Sequence, residues 1–183
     1  GASRFIAYFQ AFTNTNASVD KLKDAYDRIL PFKDIVGLSI GTRPDCIDAD
    51  KLNLISAYKN RYEVWLEYGL QTIHDRTLKA INRGHDFKDF LNAYNLTKKL
   101  SIPVSVHVII GLPGETREDM LKTAKKLTEL EVDGVKIHLL HILKGSVLER
   151  EYGSGKLHML SQDEYVELVC DFLERLSDKI IIQ

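Results

Sequence analysis

Short apolar runs alternating with amphipathic segments constrain this chain more than any other feature. FIAYF (5–9), IVGLSI (35–40), YEVWLEYGL (62–70), VSVHVII (104–110) and VKIHLLHIL (135–143) are rich in β-branched and aromatic residues. Each reads as a strand. Between the first two, Leu22, Ala25, Tyr26 and Ile29 recur at helical spacing. They predict a helix from Val19 to about Leu30, capped by Ser18 and stopped by Pro31. The same reasoning predicts helices from the GTRPD loop (41–45) to about Lys59, from Asp75 to Asn82, and from an Asp86 cap to about Leu100. Pro103 leads into the fourth strand. Thr116 starts a helix whose first turn carries Glu118 and Asp119, where acidic side chains suit the helix dipole. Two helices follow, near Ser146–Tyr152 and Ser161–Leu176, and Ile180–Ile182 begins one more strand.

Continuously apolar strands separated by helices indicate a parallel sheet covered on both faces. The first strand is not followed by GxGxxG, and GxxxxGK[ST] does not occur, so a nucleotide-binding doubly wound sheet has little support. A complete eight-stranded barrel takes about 250 residues, and this chain has 183. The expected fold class is therefore α/β: a partial parallel (β/α) TIM-type barrel of five to six βα units, truncated at both ends. Gly1–Ser3 read as a remnant ahead of the natural sequence, and residues 4–183 as one domain. Hydrophobic residues at 44% and charged residues at 28% fit a soluble globular protein. A net charge of -1 gives no electrostatic argument for a polyanionic partner, although a local basic patch stays open. Cys46 and Cys170 form no CxxC and suggest no disulfide framework, so a reducing cytoplasm is expected. No apolar run reaches the roughly 20 residues that cross a bilayer.

In a barrel of this type the site lies at the C-terminal ends of the strands. That rule selects Gln10, Asn14 and Asn16; then Thr42, Arg43 and Asp45; then Glu67 and Gln71. It continues with His107, the GLPGE turn (111–115), and finally His138, His141 and Lys144. Glu67 and Gln71 could hold the hydroxyls of a sugar or ribose, or they could cap backbone groups. Arg43 could meet a ligand or simply pair with Asp45. Arg83 could grip a carboxylate in its fork, or mark a helix stop with Gly84 behind it. The GLPGE backbone could approach a ligand closely or serve only as a tight βα loop. His138 and His141 lie three apart and point to opposite faces of one strand, which opposes shared metal ligation unless the strand ends between them. Core or rim histidines are the better reading, and no metal ligand is assigned.

The strings YFQAFTNT, GLSIGTRPD, VWLEYGLQT, LKAINRGHD, VHVIIGLPGET, DGVKIHLLHILKG and EYVELVCDFLERL occur in this order. Together they resemble the radical S-adenosylmethionine superfamily. The similarity is greatest to the bacterial branch akin to the radical domain of the Elongator catalytic subunit and to oxygen-independent coproporphyrinogen oxidase. The resemblance implies an enzyme that uses a [4Fe–4S] cluster to cleave S-adenosylmethionine to a 5′-deoxyadenosyl radical. Gln71 then corresponds to a contact to the cofactor ribose and Arg83 to a contact to its carboxylate. Thr42, Arg43 and Asp45 correspond to polar cofactor or substrate contacts and Gly111 and Pro113 to backbone near the adenine, while Glu67 joins them as a cofactor contact on its own position near the end of the third strand. Similarity to the Elongator subunit points to wobble-uridine modification of tRNA, making tRNA the expected substrate of the parent protein.

The family holds its cluster with three cysteines in a CxxxCxxC-type loop after the first strand. Cys46 and Cys170 do not reproduce that loop. The expectation is a piece that starts at the second barrel strand, lacks the family's C-terminal part, carries no cluster and does not catalyse the radical reaction alone. Open sheet edges would invite pairing with a second copy. Two other readings compete: a cluster-free TIM-barrel lyase or isomerase using Glu67 or a histidine as base, and a non-catalytic module that binds a nucleoside or a protein.

Overall fold

Alternation within the strands decides how the sheet is dressed. In a computed structural model, which describes residues 1–157 and 159–183, six strands form: β1 (Phe5–Phe9), β2 (Ile35–Thr42), β3 (Glu63–Gln71), β4 (Val104–Ile110), β5 (Gly134–Leu139) and β6 (Ile181–Ile182). They lie in one sheet in chain order, β1-β2-β3-β4-β5-β6, all parallel. A doubly wound sheet would reverse direction at a switch point. Sequential order without reversal is the barrel pattern, so the fold class is the expected partial parallel (β/α) barrel.

Helices occupy the connections: α1 (Val19–Tyr26), α2 (Ala49–Ala57), α3 (Asp75–Ala80), α4 (Phe87–Lys99), α5 (Arg117–Glu129), α6 (Val147–Gly153) and α7 (Gln162–Leu173). The helices expected to reach Leu30 and Lys59 instead tighten into single 3-10 turns at Asp27–Ile29 and Tyr58–Asn60, a frequent way for helices to end. The strand expected through residue 143 stops at Leu139.

The chain forms two compact units, the first from Gly1–Leu70 with Phe87–Val106, the second from Gln71–Asp86 with His107–Gln183. In the first unit, Leu38 and Ile40 of β2 and Val64, Leu66, Tyr68 and Leu70 of β3 are buried at every second position. Leu38 is in register with Val64 and Ile40 with Leu66. The Tyr68 hydroxyl shares a 2.7 Å hydrogen bond with Thr97 of α4, which identifies this as the helix-covered face. Phe90 of α4 is fully buried; it meets Tyr68 edge-on at 6.1 Å and stacks on Phe87 and Tyr94 at 5.9 and 5.8 Å. In the second unit, Val108, Ile110, Ala124, Leu127, Val135 and Phe172 are buried.

Helix α5 begins as its sequence predicts. Thr116 accepts from the Asp119 amide at 3.2 Å, and the Asp119 carboxylate accepts from the Thr116 amide at 2.9 Å, a reciprocal capping box. Asp119 also accepts from Arg76 at 2.5 Å. The Thr116 amide first, with the Thr116 hydroxyl and Arg76, holds the Asp119 carboxyl down at about 2.

Two outcomes follow from this packing. Phe90→Ala should cost roughly 3–5 kcal/mol, the range for a buried aromatic truncated to a cavity, and urea denaturation will measure it. Because the Asp119 pKa is depressed in the folded state, its contribution is present above about pH 4 and lost as pH falls toward 2. Acid titration of stability by circular dichroism should therefore be shallower in Asp119→Asn than in the parent protein.

Candidate functional site

The first unit carries a buried carboxylate on the face opposite the helices. Glu67 alternates with Leu66 and Tyr68 and so points away from α4. Only 4% of it is exposed. Tyr8 of β1 donates to Oε2 at 2.7 Å, and Ser39 of β2 donates to Oε1 at 2.5 Å. The expected cost of a lone carboxylate in so apolar a strand is thereby met by hydrogen bonds. Tyr8 reaches Glu67 across the intervening strand because Gly41 is the register partner of Glu67. A Cβ on Gly41 would stand 3.3 Å from the Phe9 carbonyl and 3.7 Å from the Tyr8 hydroxyl. Burial, and then the bond to the Glu67 carboxylate, push the Tyr8 phenol well above its ordinary range. Tyr8 and Ser39 did not emerge from the sequence; the available signal was the charge in an apolar strand, which requires donors nearby.

The loop after β1 is fastened to the end of β2. Asn14 donates through its side-chain amide to the Phe9 and Gly41 carbonyls, both at 2.8 Å. Its own carbonyl accepts from the Tyr26 hydroxyl at 2.7 Å. Thr15 and Thr42 are both buried and share a 2.6 Å hydroxyl–hydroxyl hydrogen bond, and Thr15 contacts the Cys46 carbonyl at 2.9 Å. Arg43 grips Asp45 in a fork, Nε to Oδ1 at 2.9 Å and Nη2 to Oδ2 at 2.5 Å. Thr42, Arg43 and Asp45 thus stand together at the end of β2, each with a partner in the protein.

The second unit holds the remaining candidates. Gln71 ends β3 with φ 77°, a left-handed conformation uncommon for a residue with a side chain. It lines a gap, too narrow for water, with Val108, Ile110, Glu115, Met120 and Phe172. Glu115 accepts from Thr72 at 2.6 Å, and burial pushes its carboxyl up. Arg83 follows the stop of α3. Its amide bonds to the Leu78 carbonyl at 2.9 Å and the Asn82 amide to the Lys79 carbonyl at 3.1 Å, a Schellman closure. The left-handed residue of that closure is Asn82, φ 52°, rather than the downstream Gly84. Gly111 has φ 86°, and an added Cβ would meet Leu160 at 3.2 Å. Pro113 and Gly114 (φ 74°) occupy the centre of a turn closed by the Glu115 amide on the Leu112 carbonyl at 3.2 Å, as a Pro-Gly type II turn requires. His107 and His138 come together, with Nδ1 and Nε2 3.2 Å apart. β5 ends before His141, which is exposed.

These strand-end clusters sit on a fold with known relatives. Residues 2–127 match the Radical SAM superfamily and residues 132–183 the Radical_SAM C-terminal domain. The chain belongs to the radical SAM superfamily. It is 48% identical over 179 residues to the uncharacterized protein YtqA of Bacillus subtilis (strain 168), covering 98% of this chain and 56% of that protein. It is 45% identical over 184 residues to the uncharacterized protein MJ0486 of Methanocaldococcus jannaschii, covering 100% of this chain and 57% of that protein. The chain thus spans little more than half the length of these relatives. A tRNA uridine(34) acetyltransferase of M. jannaschii is 30% identical over 73% of the chain and 25% of its own length. Among solved structures, the Elp3 of Methanocaldococcus infernus with an N-terminal deletion superposes with a TM-score of 0.85 at 21% identity, covering 100% of this chain and 47% of that one. The coproporphyrinogen III oxidase HemN of Escherichia coli gives 0.72 at 17% identity, with coverages of 92% and 39%. These two likenesses concern the fold.

The superfamily implies an iron–sulfur cluster, which is held by thiolates. Cys46 is half-buried after β2 and Cys170 is exposed on α7. Among the described residues, no three His, Cys, Asp or Glu side chains converge on a point that could hold a metal ion. The residues of this chain do not fit the cluster. Also among the described residues, no helix is long and apolar enough to cross a membrane.

Glu67→Gln removes a charge from beside the Tyr8 hydroxyl while keeping an acceptor. Ultraviolet titration should show the Tyr8 phenol ionising at lower pH in Glu67→Gln than in the parent protein, with its burial-driven elevation retained.

Proposed function

We propose that this chain is the cofactor-binding barrel segment of a longer radical S-adenosylmethionine enzyme. The match of residues 2–127 to the superfamily carries the reading. Polar residues at the ends of consecutive strands support it, because that is where a parallel barrel presents its ligand contacts. Since the residues here do not fit the cluster, this segment contributes binding and orientation, which is the protein's usual share in cofactor chemistry.

Gln71 hydrogen-bonds the ribose, and Arg83 offers its guanidinium to the carboxylate of S-adenosylmethionine, a geometry that suits arginine. The Gly111–Pro113 backbone lies toward the adenine, where a glycine permits close approach. Glu67, Thr42, Arg43 and Asp45 supply the polar contacts of β2 and β3. Two donors already orient the Glu67 carboxylate, so it serves as a fixed acceptor. The substrate of the longer enzyme is tRNA, modified at its wobble uridine in the cytoplasm. Similarity to a protein named for tRNA uridine(34) supports that choice. As a separate chain, the segment pairs through its end strands β1 and β6, where Phe5, Ile6, Ile181 and Ile182 are exposed.

The test uses the longer protein of this proposal, cluster cysteines included. Anaerobic reconstitution with iron and sulfide should give a brown protein that releases 5′-deoxyadenosine when reduced with S-adenosylmethionine. Gln71→Ala and Arg83→Ala should each weaken S-adenosylmethionine binding about tenfold, ~1.4 kcal/mol, without bleaching the colour. A colourless product with the cysteines present overturns the reading.

A further inference from the structure

The histidine pair of the second unit has no part in the cofactor reading. His107 lies on β4 and His138 on β5, 31 residues apart in sequence. Val106 and Val108 flank His107 and are buried, so the alternation of a strand turns His107 to the other face. His107 Nδ1 and His138 Nε2 are 3.2 Å apart; the ring centroids are 5.2 Å apart and the planes tilted by 34°. Both side chains are half-exposed and so within reach of solutes. Each is anchored on a regular strand, so drawing the two nitrogens together requires no loop to be ordered.

A shared proton is one filling for such a gap. A metal ion is the other. Imidazole nitrogens bind zinc at about 2.0–2.1 Å. With bonds of that length, a 3.2 Å nitrogen–nitrogen edge subtends an angle of about 100° at the metal, close to tetrahedral. The surroundings select the kind of ion. Among the described residues no third His, Cys, Asp or Glu joins the pair. Oxygen-seeking Mg²⁺ and Ca²⁺ therefore find little here, whereas imidazole suits Zn²⁺, Ni²⁺ and Cu²⁺. Water or a ligand oxygen bound to such an ion would be polarised.

We propose that His107 Nδ1 and His138 Nε2 form an open two-histidine seat for a divalent first-row metal ion of the zinc type. The site stands apart from the S-adenosylmethionine reading and is testable on this chain as it is. His141, beyond the end of β5 and exposed, lies outside the seat and is the control.

Calorimetric titration with Zn²⁺ should show one saturable site. His107→Gln and His138→Gln should each weaken it at least tenfold, and His141→Gln should leave it unchanged. Glutamine keeps polarity and approximate size, and circular dichroism confirms that each variant is folded. Long-range proton–nitrogen spectra of the imidazoles provide the second measurement: at saturating Zn²⁺ the metal-bound nitrogens should be Nδ1 of His107 and Nε2 of His138. Absence of saturable binding, equal binding in all three variants, or a proton retained between the two rings at saturation would each overturn the proposal.

Discussion

Parallel pairing of strands in chain order is the constraint from which the other features descend. A parallel neighbour cannot be reached by a tight turn, so each connection must carry the chain back along the sheet. Helices do this, and the face they cover must be apolar. In the first unit the register aligns Leu38 with Val64 and Ile40 with Leu66 on that face. The same register commits Ser39 and Glu67 to the opposite face. A slip of one residue would exchange the two faces, burying Glu67 under α4 and exposing Tyr68, so the register is strongly specified. Polar chemistry in this fold is thus positioned by the requirements of the apolar side.

Glu67 shows what that positioning demands of its neighbours. A carboxylate buried to this degree needs donors, and these come from two different strands. Ser39 lies diagonally across from it on β2, and Tyr8 spans the whole of β2 from β1. Glycine at position 41 eases the span, because an added Cβ would crowd the Phe9 carbonyl at 3.3 Å and touch the Tyr8 hydroxyl at 3.7 Å. One small residue therefore links an edge-strand tyrosine to a central carboxylate. The result is a carboxylate whose orientation is set before any ligand arrives, so that little ordering remains to be done on binding.

Which features were legible in the sequence follows from how local their causes are. Strands and helices are written in periods of two and 3.6, and the Thr116–Asp119 box in four adjacent residues, so these could be read directly. The stop before Arg83 was legible too, but its left-handed residue is Asn82, since asparagine tolerates that conformation better than most residues with a side chain. The end of β5 was not legible, because VKIHLLHIL is apolar on both sides of Leu139 and its periodicity does not change there. Nor were the long-range pairs. Tyr8 and Glu67 are 59 residues apart, and His107 and His138 are 31 apart. Their meeting depends on register, which the sequence specifies only through the packing of other residues. The bidentate Arg43–Asp45 contact was one of two readings left open, and it forms between residues two apart.

The donors available in this chain separate two kinds of metal chemistry. An iron–sulfur cluster requires several thiolates at one place, and this chain has two cysteines, Cys46 half-buried and Cys170 exposed. A pair of imidazoles is not a substitute. Imidazoles are borderline nitrogen ligands, suited to single divalent ions of the zinc type rather than to an iron–sulfur cluster. The strand ends follow the same logic. Thr42, Arg43, Asp45 and Glu67 each have partners within the protein, so any ligand they meet finds groups already aimed.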